Sequence, residues 1–404
     1  MKREHISCKE FSKNNKFIRR ELSMFLARKY LNLNLKEMDQ TRMLSYWSNK
    51  MKVWLNQMYY PKASVEESIR GNRDYFIDNL KYLLIVLVVV GHVGLKLPNV
   101  KEVKSFINFI YLFHMPCFVF TSGYLAKNMN SGGKLRVDKI FSIIWMYLIF
   151  KLVNVLLGMA FDQKEELNLL QDGSAPWYLV TLSIWYLSVP FLERVKAQYL
   201  IPGSLLLGCF IGYCTQINDV LSLSRVFVFF PFFIIGYKLS KEKLEQLLNK
   251  RVRIIALIIF AIAFYIYANY WDKIGTAYKV MYGGSPYAKF LGSLAPYGFF
   301  IRGGWYLVTL ALSVIFMLLV PRAKVFFTGF GGRTMQIYIS HIWIRYVLIQ
   351  IGFFTMLKKE STVVLFLVLF ASVFVTFLLS NKALKLIFDK LVPTKLFQKL
   401  LEKE

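Results

Sequence analysis

The sequence predicts an all-α, polytopic integral membrane protein with about ten transmembrane helices. Of its 404 residues, 56% are hydrophobic and 17% are aromatic, which is more apolar than a soluble domain requires. The apolar residues fall in long runs, such as residues 80–97 and 363–379, that approach the ~20 residues needed to cross a bilayer. Polar clusters separate these runs, so the chain is expected to cross a lipid bilayer repeatedly.

The chain begins with a basic segment, residues 1–72, that holds no apolar core of the length a signal peptide needs. We expect it to form a cytoplasmic N-terminal extension. Met43, Trp47, Met51, Trp54 and Met58 recur in it at helical spacing, which predicts an amphipathic helix lying on membrane lipids. A helix that packs on a partner, or inside a small cytoplasmic domain, fits the same pattern.

Ten apolar segments follow the extension. Their predicted bounds are 80–97, 105–126, 139–160, 175–193, 199–215, 225–239, 253–270, 304–320, 334–354 and 361–381. An even number of spans places both termini on one side, and Lys and Arg cluster in the connections near 127–139, 194–196, 241–251 and 322–333. Basic short loops favour the cytoplasm, so we expect a multi-pass protein of the cell membrane with cytoplasmic N- and C-termini.

The net charge of +27, from 51 basic and 24 acidic residues, has the same explanation. Basic residues accumulate in the cytoplasmic loops of membrane proteins, so we expect no nucleic-acid partner.

Three of the four histidines, His92, His114 and His341, fall inside predicted spans, where ionisable groups are costly and are usually functional. His92 follows Lys81 by eleven residues, which places both on one helix face ~16 Å apart. An imidazole is a natural general base for a hydroxyl, and a cation at the helix entrance suits phosphate groups. The alternative is that Lys81 snorkels to the interface and His92 hydrogen-bonds a neighbouring helix.

Several motifs resemble those of the membrane-bound acyltransferase-3 family, in particular its fucose 4-O-acetylase-like branch. The opening motif runs from Arg73 through Asp78-Asn79-Leu80-Lys81 to Gly91-His92. The later segments are Phe113-His114-Met115-Pro116, Thr121-Ser122-Gly123-Tyr124, Trp177-Tyr178-Leu179, the stretch from Phe229 to Tyr237, and the stretch from Gly329 to His341. Many members have Arg where this chain has Lys81, so the bidentate guanidinium fork is lost here.

The resemblance implies an acyl-CoA-dependent O-acyltransferase that moves an acetyl group from acetyl-CoA to a hydroxyl of a carbohydrate or glycan. It implies that residues 73–385 form the membrane acyltransferase domain, followed by a cytoplasmic basic tail at 386–404. It also implies that His92 is the essential catalytic group. No motif in the sequence implies a metal.

The other two histidines of the spans are also catalytic candidates. His114 lies two residues before Pro116, which frees a backbone carbonyl near Leu112 and predicts a kink beside a cavity. A substrate role for His114 in that cavity and a structural role, in which it hydrogen-bonds the disrupted backbone, are equally favoured. His341 follows Tyr338 by three residues on one helix face, so Tyr338 is a candidate for substrate binding. An interhelical hydrogen bond is the structural alternative for His341.

The donor site is expected at the start of the first and third spans. Arg136 and Lys139 lie on the same predicted side as Lys81, and together they are candidates for binding the phosphates of acetyl-CoA, although positive-inside charge also explains them. Asp78 is predicted to be the N-cap of the first span.

The acceptor is expected in the outer stretch 271–303. Tyr287, Arg302 and nearby Trp305 are candidates for sugar binding, because flat aromatic rings support the apolar face of a sugar. An interfacial aromatic belt with a re-entrant loop has the same composition.

Two other functions fit parts of the sequence. A transporter or flippase also needs buried histidines and many spans, but no matched pair of interrupted segments is visible in the two halves. A non-catalytic sensor or assembly protein with the same fold is the third hypothesis, and the departure at Lys81 favours it.

Overall fold

The computed structural model describes residues 49, 74–131, 134–163, 167–169, 176–215, 221–392 and 397. The amphipathic helix predicted between Met43 and Met58 lies outside the described residues, apart from residue 49. In chain order the α-helices are α1 (Tyr75–Gly94), α2 (Lys101–Leu125), α3 (Val137–Ala160), α4 (Trp177–Leu187), α5 (Val189–Arg194), α6 (Ala197–Phe210), α7 (Leu223–Lys238), α8 (Lys241–Leu247), α9 (Arg253–Asn269), α10 (Trp271–Ile274), α11 (Tyr278–Tyr282), α12 (Tyr287–Leu291), α13 (Gly298–Leu319), α14 (Thr334–Gln350), α15 (Phe353–Met356), α16 (Thr362–Leu379) and α17 (Lys382–Leu391).

The remaining regular structure is short. The 3₁₀-helices are Ala126–Met129, Ile211–Tyr213, Lys250–Val252, Gly292–Tyr297, Thr328–Arg333 and Leu357–Lys359. Two-residue strands, β1 (Asn130–Ser131) and β2 (Lys134–Leu135), pair antiparallel after α2. The all-α class is confirmed, and α17 continues across the tail boundary that was predicted at residue 385.

Each of the ten predicted apolar segments corresponds to a helix, with α4 and α5 sharing one segment. Five helical segments of the described part are long and apolar enough to cross a bilayer by themselves, and three bent helix pairs raise that number to eight. The other two predicted segments form the shorter apolar helices Trp177–Leu187 and Ala197–Tyr213. Length and composition therefore support the polytopic class with five to eight clear spans.

The first span begins earlier than predicted, and its cap is a different residue. The side chain of Asp74 accepts hydrogen bonds from the backbone amides of Phe76 and Ile77, so Asp74 is the N-cap of α1. The prediction that Asp78 caps this helix is wrong. Asp78 lies in the first turn, where it forms an ion pair with Lys81.

Helix α2 lies at the centre of the described bundle, in contact with α1, α7, α9, α13 and α16. Two glycines allow α2 and α7 to approach each other closely. A Cβ atom added at Gly123 would lie 2.0 Å from the carbonyl oxygen of Phe233, and one at Gly236 would lie 2.0 Å from that of Phe120. Small residues at such contacts let backbones meet within a membrane.

Large apolar side chains cover the outer helices. Leu156 on α3, Ile254 on α9 and Phe370 on α16 are more than half exposed, and each lies among exposed apolar neighbours. Apolar surface of this extent is expected of helices that face lipid. Together with the long apolar helices, it describes a multi-pass membrane protein.

Helix α1 runs parallel to the segment that contains the 3₁₀-helix Thr328–Arg333 and α14. Two polar contacts join them, and both contacts connect residues 249 positions apart. Near the start of α1, the Thr328 hydroxyl donates to the Asn79 side-chain oxygen over 2.7 Å. Thirteen residues later in α1, His92 contacts His341. The Asn79 amide also donates to the carbonyls of Pro321 and Ala323. These contacts fix the register that brings the two histidines together.

Candidate active site

His92 and His341 form a direct pair between α1 and α14. His92 Nδ1 lies 2.8 Å from His341 Nε2, and the rings stack with centroids 5.1 Å apart and planes inclined by 21°. His341 is buried, whereas His92 keeps partial exposure. The sequence predicted both histidines as separate candidates, and the fold unites them in one site.

Hydrogen bonding determines which nitrogens of the neutral pair carry protons. His341 Nδ1 lies 2.8 Å from the carbonyl oxygen of Ile337, which can only accept, so this nitrogen carries a proton. In a neutral His341 the Nε2 atom then bears a lone pair and accepts from His92 Nδ1. His92 Nε2 is left with its lone pair, which makes it the basic atom of the pair.

Aromatic hydroxyls surround one side of the pair. The Tyr338 ring lies 6.1 Å from the His341 ring and 6.0 Å from the ring of Tyr178. The hydroxyls of Tyr178 and Ser122 are 2.5 Å apart, which links α4 to α2 beside the site. Tyr338 therefore adjoins the pair, as the spacing on α14 predicted.

His114 lies near the pair without a hydrogen bond to it. Its Nδ1 donates to the carbonyl oxygen of Ile110 over 2.8 Å, one turn earlier in α2. Helix α2 is continuous through Pro116. Tyr111 joins the two regions, because its ring contacts His114 with centroids 4.7 Å apart and lies against Gly91, next to His92.

Arg345 is a component of the site that the sequence interpretation missed. It follows His341 by one helical turn on α14, and it lies near His92, Tyr111 and Tyr338. Its Nε atom is buried and has no hydrogen-bond partner among the described residues. A basic residue four positions after His341 on one helix face was the available sequence signal.

The predicted donor-binding cations lie at the other end of α1. Lys81 Nζ is 3.0 Å from Asp78 Oδ1, and Arg136 Nη2 is 3.0 Å from Asp138 Oδ2. No ion pair or hydrogen bond within the described residues joins Lys81 to Arg136 or to Lys139.

A cavity of about 540 Å³ lies near these cations. It is lined by residues of α3, α14, α17 and the preceding 3₁₀-helix, including Ser142, Arg333 and Lys385. Ser142 is one turn after Lys139 on α3. Gly331, two residues before Arg333, touches the backbone of Asp78, so the cavity adjoins the start of α1. Two basic side chains, Arg333 and Lys385, thus line the cavity at this end of the bundle, together with Asp389, which forms an ion pair with Lys385.

Two of the predicted sugar-binding residues, Tyr287 and Arg302, form contacts inside the protein. Tyr287 and Arg302 are fully buried, with the guanidinium 4.4 Å from the ring centroid. Arg302 donates to the carbonyls of Val280 and Gly208, and the Tyr287 hydroxyl donates to the carbonyl of Cys209. Their polar atoms thus join the connecting segments to the bundle, and these surroundings give no support to sugar binding by Tyr287 and Arg302.

Trp305 is partly buried. It packs against an apolar cluster formed by Phe109, Leu112 and Phe113 of α2 and their neighbours. Its expected role at an outer sugar site therefore has no support from its surroundings.

The fold and the site together define a multi-pass α-helical membrane protein with a histidine pair between two parallel helical segments. Residues 74–381 match the acyltransferase-3 family, which is described as an acyltransferase domain. The chain belongs to this family.

Two curated relatives share parts of the sequence. Nodulation protein NolL of Mesorhizobium japonicum is 25% identical over 229 residues, which cover 52% of this chain and 59% of that protein. Nodulation protein NolL of Sinorhizobium fredii is 42% identical over 73 residues, which cover 17% of this chain and 19% of that protein. The chain therefore spans less than two thirds of the length of each of these relatives. No solved structure matches it.

Proposed function

We propose that this protein is a membrane acyltransferase that uses acetyl-CoA and transfers the acetyl group to a hydroxyl of a carbohydrate or glycan. The observation that carries the proposal is the 2.8 Å contact between His92 Nδ1 and His341 Nε2, in a chain of an acyltransferase family. A hydroxyl is a weak nucleophile at neutral pH, and a positioned imidazole is the base that such a transfer requires.

The protonation pattern supports His92 as the base. His92 Nε2 removes the proton of the acceptor hydroxyl as its oxygen attacks the thioester carbonyl carbon. The carbon–sulfur bond then breaks, and the coenzyme A thiolate takes the proton from the imidazolium. His341 supports the cation formed on His92, because its Nε2 lone pair continues to accept from His92 Nδ1.

A two-step route uses the same nitrogen as nucleophile. His92 Nε2 would attack the thioester carbonyl carbon and expel the coenzyme A thiolate. The acceptor oxygen would then attack the acetyl-imidazole, the carbon–nitrogen bond would break to restore the neutral imidazole, and the hydroxyl proton would pass to the thiolate. Mass measurement of the protein after mixing with donor alone distinguishes the routes, since only the second adds an acetyl group to the protein.

The donor is expected to bind at the end of the bundle where α1 begins. Lys81 lies ~16 Å from His92 along the helix, and a long, flexible donor can span that distance. Arg333 and Lys385 line the 540 Å³ cavity near that end. Cations around a cavity suit the phosphates of a nucleotide, and Lys139 lies one turn from the lining residue Ser142.

The decisive experiment measures acetyl transfer and acetyl-CoA hydrolysis by the purified full chain with labelled acetyl-CoA. We expect His92→Ala to lower turnover by about 10²–10⁴-fold, the usual contribution of a general base. His92→Gln should be as inactive, because an amide preserves a hydrogen bond but cannot act as a base.

Membrane insertion and thermal stability serve as the control for both variants. Loss of one hydrogen bond between membrane helices averages only ~0.6 kcal/mol, so both variants should insert and fold like the wild type. Near-normal turnover of His92→Gln would show that His92 has a structural role and is not the base. Wild-type protein that neither transfers nor hydrolyses the donor would instead favour a non-catalytic sensor or assembly protein.

A further inference from the structure

A second cavity lies at the opposite end of α1 from Lys81. It encloses about 360 Å³, and its lining includes Leu95, three residues after His92. Its walls come from α2 and from the connecting segments between α9 and α13, with Tyr111, Tyr278, Tyr282, Ser285, Lys279 and Lys289 among the lining residues. Three tyrosine rings and a serine hydroxyl suit a ligand with both apolar faces and hydroxyls.

Tyr111 connects this cavity to the histidine pair. Its ring lines the cavity and contacts Tyr278, with centroids 5.8 Å apart. A Cβ atom added at Gly91 would lie 2.9 Å from the Tyr111 ring, so the ring lies against the backbone next to His92. The Tyr111 hydroxyl is buried and has no hydrogen-bond partner among the described residues. The Tyr111 ring thus lies between the cavity and the backbone next to His92.

The charge around the cavity is positive. Lys279 and Lys289 line it, both are exposed, and neither forms an ion pair with any described residue. None of the residues that line it is acidic.

Two arginines reinforce this charge from behind the cavity wall. The Arg225 guanidinium lies 4.7 Å from the centroid of the Tyr282 ring. Its Nη2 lies close to Gly284, another lining residue. Arg345 interacts electrostatically with Tyr111 and Tyr282 from the side of the histidine pair. An anionic group would be attracted by the charge of all four cations, whereas a neutral sugar carries no net charge and can only accept hydrogen bonds from them.

We propose that the acceptor is an acidic carbohydrate, whose carboxylate or phosphate group is held by Lys279 and Lys289 while its ring lies among Tyr111, Tyr278 and Tyr282. This inference rests on the proposed function, because it names the class of acceptor for the same histidine pair. The two lysines select the charge of the acceptor, and the tyrosines support its apolar face.

The test compares four small probes on the purified full chain in nanodiscs of neutral lipid. The probes are methyl glucoside, methyl glucuronide, methyl glucoside 6-phosphate and glycerol phosphate, and binding is measured by saturation-transfer NMR. We expect either charged sugar to bind roughly fivefold more tightly than methyl glucoside, as two partly exposed ion pairs allow. Raising the salt concentration should reduce that preference.

Variants assign the preference to the cavity. The Lys279→Gln/Lys289→Gln double variant should bind the charged and neutral sugars equally. Lys273→Gln removes an exposed lysine of the same stretch that does not line the cavity, and it should keep the preference. Equal binding of all sugars to the wild type, or no binding at all, overturns the proposal. Glycerol phosphate binding as tightly as the sugar phosphate also overturns it, since the site would then hold any anionic head group.

Measuring the same binding on His92→Ala separates the two proposals. That variant should keep the preference, because the cavity binds without turnover. Selective binding by a wild type that transfers no acetyl group would reject the proposed function and leave the acidic site standing. Acetyl transfer to neutral and charged sugars with equal kcat/KM would support the proposed function and reject the acidic acceptor.

Discussion

His341 acts through His92 in the proposed mechanism, so its substitutions separate positioning from direct proton transfer. His341→Ala removes the acceptor for His92 Nδ1, and we expect kcat to fall by roughly 10²-fold. His341→Gln offers a carbonyl oxygen that can accept the same hydrogen bond, and it should retain more activity than His341→Ala. Steady-state kinetics with acetyl-CoA measures both.

Equal inactivity of the two His341 variants would contradict this positioning role. It would indicate that His341 itself exchanges a proton during turnover, as in a two-histidine relay. Thermal stability provides the control, since both variants should unfold within a few degrees of the wild type.

Lys81 belongs to the proposed donor end of the site. Lys81→Ala should raise KM for acetyl-CoA about fivefold and leave acceptor affinity unchanged, because the side chain is partly exposed and lies ~16 Å from the imidazole. Lys81→Arg keeps a cation and should behave like the wild type. An unchanged donor KM in Lys81→Ala would remove this residue from the donor site.

Single residues of the site could be predicted from the sequence, but their pairing could not. A histidine in an apolar run is conspicuous, so His92 and His341 were both candidates. Their contact depends on the register of two segments 249 positions apart, which local spacing does not encode. For the same reason the sequence interpretation missed Arg345, and it did not predict the burial of Arg302.

At the level of helices, the close approach of α2 and α7 is the contact most sensitive to side-chain size. Gly123 and Gly236 each lie against a backbone carbonyl of the other helix. Both glycines occur in the family-like motifs, so these motifs have a packing role as well as any chemical one. The backbone separation at this contact leaves no room for a methyl group.

Gly123→Ala should therefore destabilise the protein by about 1–3 kcal/mol, the usual cost of overpacking. A Cβ atom at this position would lie 2.0 Å from the carbonyl oxygen of Phe233, so the helices must separate. Thermal unfolding of the purified protein measures the effect. Gly303→Ala is the matched control, because its Cβ atom meets nothing within 4 Å and the helix should tolerate it. Equal melting temperatures for the two variants would contradict this account.

The apolar runs predicted the helices well because lipid imposes length and composition on a span. The ends were less accurate, and the first span shows why. Asp74 and Asp78 are both suitable caps by residue type, but the cap depends on which backbone amides remain unpaired, and those belong to Phe76 and Ile77. The segments Trp271–Tyr282 and Tyr287–Leu291 were expected as loop, yet they form short helices that carry walls of the second cavity.

Across the whole molecule, the two cavities lie at opposite ends of α1. The 540 Å³ cavity adjoins Asp78 near the start of this helix, and the 360 Å³ cavity reaches Leu95 just beyond its end. In the proposed mechanism, a donor from one side of the membrane and an acceptor from the other would meet at the histidine pair between the two cavities. The orientation of the chain in the membrane therefore decides which side of the membrane each cavity faces.

We propose that both termini and the connection 127–138 face the cytoplasm and that the connection 161–174 faces outside, since short basic loops favour the cytoplasmic side. Accessibility labelling in a variant without native cysteines tests this. Asn168→Cys, at an exposed position, should react with an impermeant maleimide in intact cells. Lys134 is exposed on β2, in the connection 127–138 that we place in the cytoplasm, so Lys134→Cys should react only after permeabilisation. Labelling of Lys134→Cys but not Asn168→Cys in intact cells would invert the topology, and the acceptor cavity would then face the cytoplasm.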